Sequence, residues 1–433
     1  MEMKTIKVGI MGMGTVGTGV MKIIEAQREY IYNKIGVNLE IKKVLVRDVT
    51  KERNIPVHPE VLTDNYEDIT KDPEIKICIE VMGGVDTTKD MLLDAIENGK
   101  SIVTANKDLM AISGKEIFEK AYQAGVDVKF EASVAGGIPI IRPLKDCLAA
   151  NRVSEIMGII NGTTNYILTN MTEKGSNFQD VLREAQDLGY AEADPTADIE
   201  GFDAARKIAI LASIGFNTRV TLNDVHVEGI TKITSQDIAY AKELGFVIKL
   251  LGIAKAEPGE VEARVHPVFI PKNHPLAAVN DAFNAIYVKG DAVGETMFYG
   301  PGAGEMPTAS AIMGDVVEVA QNIKTETAGK RYNCTCFEKR RIKTIGEMEA
   351  QYYIRLTVKD QPGVLASIAS VFGNQGVSIG SVVQKRRGEE MAEIVLITHG
   401  IKEQNVQDAL QIIQGLSTVE VVSNVIRVEG GNN

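Results

Sequence analysis

Apolar and polar positions follow three rhythms along this chain, and each predicts a different set of elements. In the first 137 residues, short apolar runs alternate with amphipathic helical stretches. KTIKVGI (4–10) has the pattern of a short buried strand, and VGTGVMKIIEAQ that of the helix after it, continuing through the polar REYIYNKIG. LEIKKVLVRD, IKICIEVMGG, SIVTANK and VDVKFEASVAGGIPI repeat the strand pattern, with DTTKDMLLDAIENGK as an intervening helix closed by Gly99. Such alternation predicts an α/β fold with a parallel sheet.

The second rhythm, residues 138–304, predicts an α+β domain. A strand from Glu155 to Ile160 leads into the turn Asn161-Gly162-Thr163-Thr164-Asn165, which opens a helix, and VIKLLGIAKA, VEARVHPVFI and FNAIYVKGD predict a mostly antiparallel sheet. GPGAGEMPTASAIMG (300–314) is a glycine-rich turn that becomes helical. So late in the chain it reads as a return to the first domain, which is then discontinuous: 1–137 plus 305–322. Residues 323–348 read as a charged linker. The third rhythm, 349–433, runs strand, helix, strand, strand, helix, strand, the βαββαβ order of a compact ferredoxin-like module. It is expected to be separable after about Gly346.

The first strand runs into Gly12-x-Gly14-x-x-Gly17 and then a helix. Glycine at these spacings turns the chain sharply, admits a pyrophosphate against the backbone and packs helix on strand, so a Rossmann-type dinucleotide site is predicted, with Met13, Thr15 and Val16 in the same turn. Past the second strand, Asp48 suits the ribose hydroxyls of NAD and Arg47 the 2′-phosphate of NADP; the balance leans to NADP, and the alternative is that both charges solvate a loop. Thr104 and Lys107 close a later strand at its carboxyl end, where open α/β sheets place ligands. Lys107 there steadies a developing oxyanion or a cofactor amide, or is simply solvated. Gly304 and Glu305, at the late glycine turn, are expected to border the same cofactor.

The stretch LGYAEADPTADIEGFDAARKIAILASIG (188–215) carries five acids, Glu192, Asp194, Asp198, Glu200 and Asp203, and passes directly into an Ala-rich apolar run with the composition of a buried helix. Asp203 and Lys207 are four apart and share a helix face. Such a pair is often a solvated surface bridge. Here it opens a helix apolar nearly all round, where ionisable groups need partners, and that makes it a candidate active site. The turn at Thr163 offers hydroxyls and backbone N–H groups to an anion such as a carboxylate.

A net charge of −11 excludes nucleic acid or an anionic membrane as the main partner. No uncharged run approaches the length of a membrane span, and no signal peptide is visible at the start. Four cysteines in 433 residues make no disulfide framework and fit a reducing, cytoplasmic setting. Cys334 and Cys336 form a C-x-C read as a pair of inert thiols, since two ligands fall short of a zinc site.

GMGTVG, VMGG, TANK, NGTTNYIL, GYAEADPTADIEGFDAARK and GPGAGEMPTASA occur in this order, and residues 4–320 closely resemble homoserine dehydrogenase; GYAEADPTADIEGFDAARK is the most specific piece. The tail from YYIRLTVKDQPGVL resembles an ACT domain. The resemblance implies reversible hydride transfer between L-homoserine and L-aspartate 4-semialdehyde with NAD(P). It makes 138–304 a substrate-binding and dimerisation domain. By matching position, Lys207 is the acid/base lysine, Asp203 its partner, Glu192 and Asp198 substrate ligands, and Lys107 a neighbour of the reacting oxygen; Thr163, in the anion-binding turn, is expected to contact the substrate as well. Whether Lys207 or a water placed by Asp203 moves the proton stays open. The family's monovalent cation, Na+ or K+, maps onto Glu131 and the carbonyls of Val134, Gly136 and Ile138. The loop Asp360 to Gly363 matches the place where ACT domains receive an amino-acid effector, with threonine the first guess, and a homodimer or homotetramer is expected. Two rivals remain. A thioester-forming semialdehyde dehydrogenase needs a cysteine in its substrate cleft, for which Cys78 and Cys147 are the candidates outside the linker. A catalytically silent amino-acid sensor should have lost Lys207 or Asp203, and both are present.

Overall fold

The computed structural model describes residues 4–330, 334–387 and 390–430. The chain forms two compact units, Met1–Ile156 with Arg206–Asp224 and Asn284–Lys339, and Met157–Ala205 with Val225–Phe283 and Arg340–Asn433.

The first unit is built on six parallel strands: β1 (Thr5–Met11), β2 (Asn38–Leu45), β3 (Leu62–Thr63), β4 (Ile75–Glu80), β5 (Ser101–Thr104) and β6 (Val128–Lys129), in the order β3-β2-β1-β4-β5-β6. Val8, Ile10, Ile77, Ile79 and Val103 are fully buried, as a parallel sheet covered on both faces requires. β1 pairs with β2 on one side and β4 on the other, so the strand order reverses at its carboxyl end, the ligand-binding position of such sheets. Helix α1 (Thr15–Ala26) follows β1 at once, and the late helix Glu305–Lys324 lies against it. A Cβ added at Gly19 would come within 2.8 Å of the Glu305 carbonyl oxygen, so the expected return of residues after 304 to the first domain is made through a glycine contact.

Two sequence expectations change here. The polar segment after α1 is a separate helix, Arg28–Ile35, because Gln27 leaves helical geometry. The strand expected from Val126 to Ile140 stops at Lys129 and gives way to a turn of 3-10 helix, Glu131–Ser133. The cause is Glu131: its carboxylate accepts backbone N–H groups from Ile140 (2.6 Å), Ile141 (2.7 Å) and Arg142 (2.8 Å), which folds the chain back on itself. Ala135 and Gly136 take φ of 57° and 53° to complete the reversal.

In the second unit, helix α3 (Gly162–Lys174) is counted after α2 (Lys107–Ala124) of the first unit, and α4 (Phe202–Gly215) begins here. Strands β7 (Phe246–Glu257) and β8 (Glu260–Pro271) make a long antiparallel hairpin turning at Gly259, with φ 81°. The tail runs β9 (Glu349–Lys359), α5 (Val364–Asn374), β10 (Ile379–Arg387), β11 (Met391–Thr398), α6 (Glu403–Gln414) and β12 (Val419–Val428), with a short strand Ile401–Lys402 inserted before α6. Its sheet order, β12-β9-β11-β10, is antiparallel throughout and buries Leu356, Val358, Ile368, Phe372 and Ile413 under the two helices. The βαββαβ reading is therefore right for the main strands and helices.

The tail, expected from the sequence to be removable after about Gly346 with activity kept, is paired with the rest of the second unit. Arg427 and Val428 of β12 pair with Val268 and Phe269 of β8, and Arg341 and Ile342, inside the expected linker, pair with Glu260 and Val261 at the other end of the same strand. Fully buried Arg264 on β8 is held between Glu262 and Glu429, and Arg355 on β9 reaches Asp237 at 2.8 Å and Glu393 at 3.2 Å. Cutting at Gly346 would strip β8 of a neighbour and Arg264 of a counter-ion. Among the described residues, no helix is long and apolar enough to cross a membrane.

Removing one partner of a buried ion pair costs roughly 3–5 kcal/mol, because the other charge stays buried. Glu429→Gln should lower stability on that scale in urea unfolding at neutral pH. Burial opposes ionisation of Glu429, but Arg264 and Lys255 outweigh it and hold the carboxyl below the usual range. A carboxyl with a lowered folded-state pKa stabilises above its unfolded pKa of about 4.3 and loses that contribution as pH falls through the folded value. The difference between native protein and variant should accordingly shrink in acid.

Candidate active site

The nucleotide half is built by backbone distances. Gly12 sits at φ 106°, and a Cβ there would come within 2.9 Å of the Val81 carbonyl oxygen; at Gly17 it would come within 2.2 Å of the Gly12 carbonyl oxygen. At Gly14 nothing lies within 4 Å. Two glycines are thus required by the protein itself, while the third leaves open space at the first turn of α1, where Gly14 provides no side-chain cap. Unsatisfied N–H groups beside an open space, with Met13, Thr15 and Val16 around them, suit a pyrophosphate.

Arg47 and Asp48 are exposed beyond β2. Asp48 accepts from the Thr50 backbone N–H (2.8 Å) and hydroxyl (2.6 Å), which hold its carboxyl below the usual range, and Arg53 donates to its carbonyl oxygen at 2.5 Å. The acid is committed to its own turn. At the end of β5, the Thr104 hydroxyl donates to Glu80 at 2.5 Å and is not offered to a ligand. Glu80, fully buried at the end of β4, also accepts N–H groups of Met82 (2.8 Å) and Gly83 (3.1 Å); burial pushes its carboxyl up despite these bonds. Asn106 caps α2 through Leu109 N–H (3.0 Å) and donates to the Gly84 carbonyl (2.7 Å), so half-buried Lys107 is fixed as the first residue of that helix. Sequence reasoning passed over Glu80 and Asn106, although an acid closing the apolar IKICIE was a visible signal. At the late turn Gly304 takes φ 122°, and Glu305 pairs with Lys22 at 2.6 Å.

The substrate half centres on Asn161, a residue not singled out from the sequence. Its side-chain oxygen caps α3 by accepting Thr164 N–H (2.9 Å), and its amide nitrogen donates to Asp198 (2.7 Å) and Asp203 (2.9 Å). One amide therefore joins two of the expected acids. Asp203 is only 4% exposed, which rules out the solvated-bridge reading for it. Lys207, half-buried, stands one turn further along α4, whose Ala204, Ala205, Ile208 and Leu211 are buried. Glu192 is exposed, and its carbonyl accepts from Gln186 at 3.1 Å. The turn hydroxyls do not serve as expected: Thr163 donates to the Tyr190 carbonyl (2.7 Å) and Thr164 to Asn161. They tie the acid-rich stretch to α3, leaving backbone groups as the turn's possible ligands.

The expected cation turn has spent its one carboxylate. Glu131 carries three backbone donors, and its own N–H is held by Asp315 at 2.8 Å. Burial pushes the Asp315 carboxyl up to about 7, with Arg142 at 3.1 Å acting against that rise. The Glu131 side chain is thus occupied by the protein's own backbone. Among the described residues no cluster of three or more His, Cys, Asp or Glu is arranged to hold a metal.

The cysteines argue against a thioester mechanism. Cys78 is fully buried in β4, and burial pushes its thiol up, while Cys147 is exposed at the end of a π-helical turn, Pro143–Cys147. At the C-x-C, a hydrogen bond from Cys336 brings the Cys334 thiol down to about 6, and the same bond drives Cys336 up.

A parallel sheet of order 3-2-1-4-5-6, opened by a glycine turn that leaves room for phosphate, is the dinucleotide-binding fold used by NAD(P)-dependent oxidoreductases, here carrying a ferredoxin-like tail. Residues 12–131 match the model for the NAD-binding domain of homoserine dehydrogenase, 139–317 that for homoserine dehydrogenase, and 352–418 that for the ACT domain. The homoserine dehydrogenase of Bacillus subtilis is 48% identical over 99% of both chains, and that of Synechocystis 46% identical over 98% of this chain and 99% of its own. A solved homoserine dehydrogenase from Thiobacillus denitrificans superposes with TM-score 0.92 at 42% identity, covering 98% of each chain. This chain belongs to the homoserine dehydrogenase family. It is an oxidoreductase with an ACT domain.

Two outcomes are expected from the site geometry. Gly14→Ala should leave the unfolding midpoint unchanged while raising the KM for the dinucleotide roughly tenfold, whereas Gly17→Ala, blocked by a backbone oxygen, should be strongly destabilised. Asn161→Ala should cost about 1 kcal/mol as a lost helix cap and, by leaving Asp198 and Asp203 without their shared donor, lower kcat/KM by roughly tenfold or more. Steady-state kinetics beside thermal unfolding separates the two effects.

Proposed function

We propose that the chain interconverts L-homoserine and L-aspartate 4-semialdehyde reversibly with NADP, in the biosynthesis of threonine, methionine and isoleucine, in the cytoplasm. Family membership supports the reaction. The observation that carries the residue assignment is the buried Asp203, held by Asn161 one helical turn before Lys207.

A nicotinamide dinucleotide held at the Gly12–Gly17 turn would supply the hydride acceptor for the alcohol carbon of homoserine. Lys207 removes the hydroxyl proton in that direction and returns it in the reverse, with Asp203 steadying its ammonium form. Lys107, at the amino end of α2, steadies negative charge on the same oxygen. Glu192 and Asp198 receive the substrate's ammonium, and Thr163 borders the substrate through its backbone. The preference for NADP rests on Arg47, since Asp48 is taken up by Thr50. An archaeal homoserine dehydrogenase solved with NADPH, 25% identical and covering 73% of this chain and 98% of its own with TM-score 0.62, is in keeping with that choice. A monovalent cation bound at the Glu131 turn would be held by the carbonyls of Val134, Gly136 and Ile138. The ACT domain makes the enzyme responsive to threonine through the loop Asp360 to Gly363, where Gly363 takes φ 87° at the start of α5, and the working form is a homodimer or homotetramer.

Lys207→Ala should lower kcat for homoserine oxidation by at least about a hundredfold while the dissociation constant of NADP is unchanged. An active variant would remove Lys207 from the chemistry. Running the native enzyme with NAD in place of NADP tests the cofactor preference in the same assay.

A further inference from the structure

The second unit holds a cavity of about 490 Å³ that the reaction does not use, a volume typical of small-molecule sites. Glu200, Phe202, Glu228, Lys232, Glu403 and Arg427 are among its lining residues. We propose that this cavity is a second effector site, distinct from the Asp360 to Gly363 loop, and that it binds an L-α-amino acid zwitterion.

Its wall is charged, and most of that charge is already hydrogen-bonded within the wall. The Arg427 side chain, 7% exposed, donates to Glu403 at 2.8 and 2.9 Å and to Glu228 at 2.8 Å, and Glu228 is also met by His226 at 2.6 Å. Burial opposes the charge on Glu228, but His226 and Arg427 prevail and keep it ionised. Two carboxylates and one guanidinium are thus tied to one another and give the cavity a fixed polar surface. Lys232 and Glu200 differ: among the described residues neither makes a side-chain ion pair. One ammonium and one carboxylate on the same small cavity are the complement of a molecule carrying one carboxylate and one ammonium. Phe202 adds an apolar wall for a side chain.

The cavity also has a route to the catalytic residues. Glu200 and Phe202 flank Gly201, which takes φ 84° and where a Cβ would come within 3.2 Å of Val227 and Val265. Ile230 N–H donates to the Ile199 carbonyl at 2.8 Å, and a Cβ at Gly229 would come within 2.3 Å of the same oxygen. Residues 199–202 are thus clamped to 227–230, both segments line the cavity or border it, and Asp203 is the next residue in the chain. A ligand that draws on Glu200 acts on the start of α4 without touching the substrate.

The inference deepens the regulatory part of the proposed function and rests on it. Homoserine oxidation without added amino acid tests the dehydrogenase assignment separately. The experiment is calorimetric titration of the full chain with each proteinogenic L-amino acid in turn, repeated on Lys232→Ala, Glu200→Gln and Asp360→Ala. At least one binding event should weaken about tenfold or more in Lys232→Ala and in Glu200→Gln while Asp360→Ala leaves it unchanged. Lys232→Ala should keep native kcat and KM when no amino acid is added, and lose the effect of the amino acid on them. If no amino acid binds, or if every binding event is unaltered in both cavity variants, the proposal is overturned.

Discussion

A carboxylate can stay buried only where donors replace the water it has lost, and in this protein that requirement falls on Asn161. Its amide nitrogen serves Asp198 and Asp203 together while its oxygen caps α3, so one side chain fixes the start of a helix and two acids more than thirty residues away in sequence. The consequence reaches Lys207. A lysine one turn beyond a buried, oriented carboxylate has its counter-charge in a set place, whereas beside a mobile surface acid it would be an ordinary solvated ammonium. Thr163, by holding the Tyr190 carbonyl, ties the preceding acid-rich stretch to the same helix. What looked in the sequence like an anion-binding turn is first a clamp on the acids.

The glycine turn is the opposite case, because its logic is local and therefore readable. A spacing of two, then three, encodes a backbone that doubles back on itself, and the distances at Gly12 and Gly17 are those of atoms leaving no room for a side chain. Gly14 is different, since the protein makes no demand on it and a ligand must supply the reason. The main strands and helices and the return of the late helix to α1 follow from patterns of period two and 3.6 and from a late glycine turn, so most of the elements of this half were legible, while the strand order, the switch at β1 and the short β3 were not.

Long-range pairing was not legible. Glu131 sits in a run that reads as strand from either side, and its capture of three N–H groups nine to eleven residues ahead ends the strand at Lys129. Nothing in the local pattern marks such a carboxylate. Glu80 escaped notice for a related reason: an acid at the end of an apolar strand looks like a surface residue until Thr104 and two backbone donors are seen to enclose it.

The tail carries this point furthest. Its six main elements are each predictable, and their order alone identifies the module, yet the same residues do not show what else they pair with. Arg355 and Arg427 occupy strand positions that an alternating pattern assigns to solvent. Arg355 is buried against Asp237 and Glu393, and Arg427 against Glu228 and Glu403. Two of those acids lie outside the tail, more than a hundred residues earlier. A surface arginine and a buried, paired one are identical in sequence, and only the position of the counter-ion distinguishes them. Since unpairing such charges costs far more than breaking surface bridges, these contacts, and not the covalent linker, determine what folds together. Through β12 on β8 and Arg427 on Glu228, the tail shares backbone pairing and charge with the strand and the segment 227–230 that it folds against, and a change in its sheet cannot be made without disturbing those pairs.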